Sequence, residues 1–271
     1  MNNTTTKTKF SLLQRARAWW AQRREINQQI AVRSACRAAT VAASQIPRDI
    51  RAAWAERAPE EFPGLPVDEG AWLRCSTGLA QFFEVCRLQR DHGPCALPSK
   101  GADSVWHAWL AVDPPGLAAW QQRHFGRELA HREADVLGAP LEDCLARSWA
   151  GACRSQGLSP FGPRLPLLFA VDGMLRLPTG WAYRHERGAL VHRQIDGFGQ
   201  ASGGAVAHAV IGASALATLG LVTAAELQAH RRRGDGGSGC GSSASSDGGC
   251  DGGGSSCGSS CGSGCGGGCG S

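Results

Sequence analysis

Through residue 233, apolar positions recur mostly at three- and four-residue steps, the spacing of one helix face, and only two short stretches alternate. Leu12, Trp19 and Ile26 stand seven apart, widened by Leu13, Trp20 and Ile30, and predict a basic helix over residues 10–33. Such a helix either lies on the protein with its arginines in water or rests on anionic lipid with tryptophan at headgroup level. Ala-rich residues 34–57 predict a helix interrupted near Ile46, with Pro47 opening the next first turn. Residues 58–66, with three prolines and Gly64, read as a loop. Asp68 caps a helix over residues 69–89 whose Trp72, Leu79, Phe82, Phe83 and Cys86 form a wide buried face.

Further along, Ser99 caps a helix that ends at Pro114-Pro115, and a second helix runs over residues 116–125 to a left-handed Gly126. Residues 140–156 predict another helix stopped by Gly157, and residues 167–177 a short buried one. Residues 181–185 and 189–195 alternate around Glu186, Arg187 and Gly188, as a small β-hairpin does. Ala205 to Thr223 carries no formal charge, and Ala205, Ala209, Ala213 and Ala217 repeat every four residues ahead of Arg231, Arg232 and Arg233. A membrane span there is weighed against a packing helix; small residues contribute little transfer energy and His208 costs some, so the packing helix is favoured. The expected fold is mainly α, an irregular multi-helix domain with a small hairpin. The expected divisions are a disordered start (1–9), the helical domain (10–200), an apolar Ala-rich helix with an Arg flank (201–233), and a disordered Gly/Ser/Cys tail (234–271).

The net charge of +5 is modest and its basic groups are nearly all arginine, which does not favour a nucleic-acid partner. Residues 1–9 are polar, and Arg15, Arg17, Arg23 and Arg24 interrupt the next segment, so no secretory signal is expected. The expected location is the cytoplasm, with membrane association as the alternative. Reduced thiols go with that location, and Cys36, Cys75, Cys86, Cys95, Cys144 and Cys153 read as small buried hydrophobes.

Candidate chemistry concentrates in residues 102–131, which hold three tryptophans and three histidines. Asp103 and His107 are four apart and share one helix face with Trp106 beside them. A tentative metal set is His107, His131 and Asp103, with a divalent transition metal such as zinc as the cofactor class and His124 as a further imidazole nearby. The plainer alternative is that His107 is a buried histidine satisfied by Asp103 or a backbone carbonyl. There is no G-x-S-x-G, H-E-x-x-H, C-x-x-C or phosphate-loop pattern, so the chain leans away from enzymes.

In the tail, Cys257, Cys261, Cys265 and Cys269 repeat at C-x3-C, with Cys240 and Cys250 before them. Glycine and serine give the tail no apolar surface to offset the entropy of ordering, so it reads as disordered. Its thiols are candidates for a soft metal, or for cyclisation of Ser and Cys onto the backbone as in azole-peptide precursors; a tail without dedicated chemistry is the simplest reading.

The runs PSKGADSVWHAWL and WQQRHFGRELAH resemble the core of the glycine-rich domain-containing protein-like family of bacteria and plants. Pro98, Ser99, Asp103, Trp106, His107, Phe125, Gly126, Arg127 and His131 carry the resemblance, which covers roughly residues 70–180. Trp109 stands where that family has a second histidine, and Trp120-Gln121 where it has Asp-Cys. The resemblance implies a helical fold and a candidate pocket and brings no activity with it. The leading expectation is a non-enzymatic interaction or scaffold protein with an unidentified protein partner and a flexible thiol-bearing tail. The alternatives are a metal-binding protein built on the His/Asp cluster and a membrane-anchored protein held by residues 205–223.

Overall fold

A computed structural model describes residues 12–132, 136–186 and 189–234, which form ten α-helices and three β-strands. In order these are α1 (Leu12–Ala35), α2 (Arg37–Ser44), α3 (Arg48–Glu61), α4 (Glu69–Leu88), α5 (Lys100–Val112), α6 (Pro114–Phe125), α7 (Leu141–Ser155) and α8 (Leu167–Leu175). Then come β1 (Trp181–Glu186), β2 (Ala189–Ile195), β3 (Ala201–Ala207), α9 (Ala213–Thr218) and α10 (Ala224–Gly234). The predicted caps are in place: Asp68 accepts from the Ala71 amide at 2.9 Å, Ser99 from the Ala102 amide at 3.1 Å, and Gly126 takes φ +75°. The C-x3-C tail lies outside the described residues.

α4 runs through the middle, packed by α2, α5, α7 and α8, with its residues from Arg74 to Phe83 all buried. Small residues permit this crowding. A Cβ on Gly78 would stand 3.0 Å from Val171 Cγ2 of α8 and 3.4 Å from Ala102 Cβ of α5. Around α4 lies an aromatic cluster in which the Phe83 ring meets Trp106 edge-on at 4.8 Å and Trp120 at 5.8 Å. Two buried indole N–H groups find acceptors, Trp54 donating to Ser104 Oγ at 2.8 Å and Trp120 to the Ala42 carbonyl at 3.0 Å, whereas those of Trp106 and Trp109 have none.

One buried carboxylate ties this helical layer to the sheet. Asp172 of α8 accepts from Ser99 Oγ (2.7 Å) and the amides of Gly101 (3.0 Å), Lys100 (3.2 Å) and Trp181 (3.1 Å). The Lys100 and Gly101 amides are orphan donors of the α5 N-terminus, where a negative charge also suits the helix dipole. Gly101 makes the approach feasible, since a Cβ there would lie 3.0 Å from Val171 Cγ1 and 3.3 Å from Asp172 Oδ1. Burial pushes the Asp172 carboxyl up, against the four hydrogen bonds that favour its charged form.

The two alternating segments form the expected hairpin, with Tyr183 opposite His192, and Tyr183 packs edge-on against Phe169 of α8 at 5.0 Å. The sheet has a third strand that the sequence reading places in a helix. β3 pairs antiparallel with β2, Val191 opposite Ala207 and Ile195 opposite Ala201, with an irregularity between His192 and Gln194. A lone two-stranded ribbon is marginal in water, and β3 completes it. The expected helix over residues 205–223 therefore does not form. The chain instead makes the end of β3, a 3-10 turn at Ala209–Ile211 and the short α9, broken by an extended Gly212 and a left-handed Gly220. The four-residue alanine repeat is divided among these pieces, and no helix of the described residues is long and apolar enough to cross a membrane.

Two further expectations change. α3 continues through Pro59 to Glu61 where a loop is read from the prolines. Ala58 is buried at 2 % exposure and its carbonyl accepts from the Phe62 amide at 2.8 Å, so core packing on both sides of the proline holds the helical turn. The Trp19/Ile26/Ile30 stripe of α1 also faces solvent, not the body.

Replacing Asp172 by alanine strands four donors, each worth about 1–3 kcal/mol when buried without a partner. Asp172→Ala is expected to lose more than about 3 kcal/mol in urea unfolding. A loss below about 1 kcal/mol would show that water or a neighbouring group replaces the carboxylate.

Candidate metal centre

The helix that Asp172 anchors carries the first two site residues. On α5, Asp103 and His107 sit one turn apart as their spacing requires, with the Asp103 carboxylate 3.5 Å from His107 Nε2. The third arrives from further along the chain. After the left-handed Gly126, residues 127–132 run without helical or strand structure, and His131 lies on this irregular arm. Gln121 fixes this arm with both ends of its amide: Oε1 accepts from the Leu129 amide at 2.8 Å, and Nε2 donates to the Leu129 carbonyl at 3.4 Å. His131 is thereby laid edge-on against Trp106, ring centroids 4.7 Å apart, and edge-on against His107 at the same separation.

The three polar groups converge. His107 Nε2 and His131 Nε2 are 3.1 Å apart, and His131 Nε2 is 3.0 Å from Asp103 Oδ1. One atom from each of the three lies within 4.8 Å of the others. The far nitrogen of His107, Nδ1, meets the Glu61 carboxylate at the end of α3, and Phe62 lies beside the ring. With its proton on Nδ1 toward Glu61, the His107 ring presents a bare Nε2 lone pair inward. A carboxylate behind a histidine fixes tautomer and ring plane in metal sites in this way.

The spacing suits a single first-row cation. Bonds of about 2.0–2.1 Å place two nitrogens roughly 2.9 Å apart at octahedral angles and roughly 3.4 Å apart at tetrahedral ones, and the observed separation falls between. A cavity of about 680 Å³ adjoins the cluster, with Asp103, Trp106 and His131 in its wall. Its wall also carries Arg90, Arg127 and Arg132 with Glu128 among them, and Phe82, Leu97 and Leu129 as apolar members. Cys86 and Cys95 also line it as hydrogen-bonded thiols. The Cys86 partner, then Ser148 and Arg147, pull the Cys95 thiol down, while that bond and burial push Cys86 up.

His124 takes no part. It lies on α6 with its ring 5.5 Å from Trp120, and Nε2 is buried without a hydrogen-bond partner. All six body cysteines are free and buried as the composition implies, and burial pushes Cys36 and Cys153 up to about 12. Cys257, Cys261, Cys265 and Cys269 fall outside the described residues.

The geometry also holds groups that sequence spacing does not reveal. Glu61 sits in the stretch read as a loop. A second imidazole pair, His192 and His208, joins β2 to the segment after β3, with His192 Nδ1 2.8 Å from His208 Nε2. The other His208 nitrogen lies 3.1 Å from the Glu142 carboxylate of α7, and His208 is only 2 % exposed. These three form a chain, His208 satisfied at both nitrogens, and not a convergent ligand set.

A family model described as UCP032817-like matches residues 38–204, more than half of the chain. The chain belongs to the UCP032817-like family. The match runs from within α2 into β3, so Glu61, Asp103, His107 and His131 all fall inside the UCP032817-like span. α1 and His208 lie outside it. No curated protein and no solved structure matches the chain.

Burial holds His124, His185 and His192 below the usual imidazole value, with Arg123 adding to the first and His208 to the last. These three rings therefore bind fewer protons near pH 6 in the folded chain than in the unfolded one. The stability that these three rings contribute is full above about pH 6.5 and is lost as the pH falls below that value. Urea unfolding with a chelator present should show a lower midpoint at about pH 5.0 than at about pH 7.5, and His192→Gln should narrow the gap. Equal midpoints at the two pH values would contradict this assignment.

Proposed function

We propose that this protein binds one divalent transition metal through His107, His131 and Asp103, with Glu61 orienting His107. The observation that carries this reading is the meeting of two imidazole Nε2 atoms 3.1 Å apart beside a carboxylate. Two ring nitrogens aimed at one another satisfy each other only if one donates, whereas a shared cation satisfies both. Zinc and ferrous iron both take two histidines and a carboxylate, with positions left for water or a substrate. Asp103 and His131 line the adjoining cavity, so a metal held by them would act on a small molecule bound there.

This reading places metal binding ahead of the scaffold role that composition favours. The resemblance to glycine-rich domain-containing proteins rests on three of the same residues, Asp103, His107 and His131, and we retain it as a proposed kinship. The unpaired body cysteines fit a reducing compartment, which supports a cytoplasmic location. A membrane anchor through residues 205–223 has no helix to support it.

Full-length protein stripped with chelator and titrated with Zn²⁺ should take up one equivalent outside the tail. A background with the six tail cysteines changed to serine isolates that site. His131→Ala and Asp103→Ala are expected to abolish the equivalent, and Glu61→Ala to weaken it by about 10- to 100-fold. Titrations unchanged by His131→Ala and Asp103→Ala would sink the proposal.

A further inference from the structure

The helix α1 is mounted with its polarity reversed. Its side toward the body is mostly polar: Glu25 and Gln28 reach the buried Arg74 of α4 at 2.6 and 3.0 Å, and Gln29 donates to Glu25 at 3.0 Å. Among the described side chains of α1, Val32 is the buried apolar group on that side. The large apolar residues point the other way, with Trp19 51 %, Trp20 65 %, Ile26 48 % and Ile30 59 % exposed. At 100° per residue, Trp19, Ile26 and Ile30 fall within about 40° of one another, with Trp20 on the flank. A surface helix ordinarily buries such a stripe.

Three of the five arginines of α1 share the face of its apolar stripe, and the other two, Arg17 and Arg24, lie toward the opposite side. Arg15, Arg23 and Arg33 fall along the exposed stripe, and the Arg23 guanidinium sits 5.5 Å above the Trp19 ring. Arg17 and Arg24 are also exposed. The one carboxylate on α1, Glu25, is engaged by Arg74 on the opposite side. The outward face is thus a convex strip of indole, isoleucine and guanidinium roughly 27 Å long from Arg15 to Arg33, with no acid on it.

We propose that this face of α1 lies on an anionic lipid bilayer surface. Indole rings settle at the headgroup–acyl boundary, and arginine stems lie along apolar surface while their guanidinium groups meet lipid phosphate. A protein partner would have to present a matching acidic groove, whereas a bilayer offers phosphate charge over apolar depth along the whole strip. Binding is peripheral and reversible, and α1 does not span the bilayer. α1 precedes the span matched by the UCP032817-like model and carries none of the proposed metal ligands.

The test uses full-length protein in vesicle flotation. Phosphatidylcholine vesicles with about 30 mol % phosphatidylglycerol should carry the protein, and pure phosphatidylcholine vesicles should not. Raising NaCl from about 50 to about 500 mM should release it. Trp19→Ser combined with Trp20→Ser should weaken the partition by about tenfold, leaving far-ultraviolet dichroism and Zn²⁺ uptake unchanged. Failure to float with anionic vesicles overturns the proposal. So does flotation that the paired tryptophan change leaves intact, which would assign binding to the arginines alone. Loss of self-association in that variant, with no flotation by either protein, would assign the face to a second copy of the chain and likewise overturn it.

Discussion

The Asp172 carboxylate ends the free valence of two chain segments at once. It closes the N-terminus of α5 and receives the first amide of β1, all from inside α8. Because α5 bears Asp103 and His107, the position of the His/Asp cluster depends on a hydrogen-bond set at the N-terminal end of that helix. A buried charge is costly unless its oxygens are fully engaged, and here they are. The same condition makes the arrangement unforgiving: Gly101 is needed for Asp172 to approach, and Gly78 for α5 and α8 to lie against α4.

Much of the helical layout is legible along the chain, for local reasons. Asp68, Ser99, Pro114 and Gly126 act within a turn of their own position, so their effect needs no knowledge of the rest. The Asp103–His107 pair is legible for the same reason. His131 could be nominated by residue type but not placed, because its position depends on Gln121 reaching eight residues ahead to Leu129. Glu61 stayed hidden behind Pro59, whose local preference is overruled by the burial of Ala58 and Phe62. Asp172 carried no signal: the run around it reads as a short buried helix, but the four donors that meet its carboxylate come from Ser99, Lys100, Gly101 and Trp181, far along the chain or across a turn.

The segment after residue 200 shows the opposite failure, in which a true pattern is read in the wrong geometry. Alanine at four-residue intervals satisfies a helix, yet small residues also suit a strand at the edge of a sheet. Pairing with β2 decided the matter, and no window of local sequence contains that pairing. The burial of His208 is a product of the same choice, since the turn after β3 sets its ring between His192 and Glu142.

The arm from Gly126 to His131 has a different standing from the helix it faces. Two of the three donor groups ride on α5 and keep their mutual spacing whatever happens nearby. The third hangs on a stretch of irregular backbone whose chief side-chain tether is one glutamine amide. Ordering that stretch costs entropy residue by residue, and a bond from His131 to a cation is what would repay it. If the cluster holds a metal as proposed, ion capture and arm closure would be a single event, and the lifetime of a bound ion would be set by how often the arm lifts away.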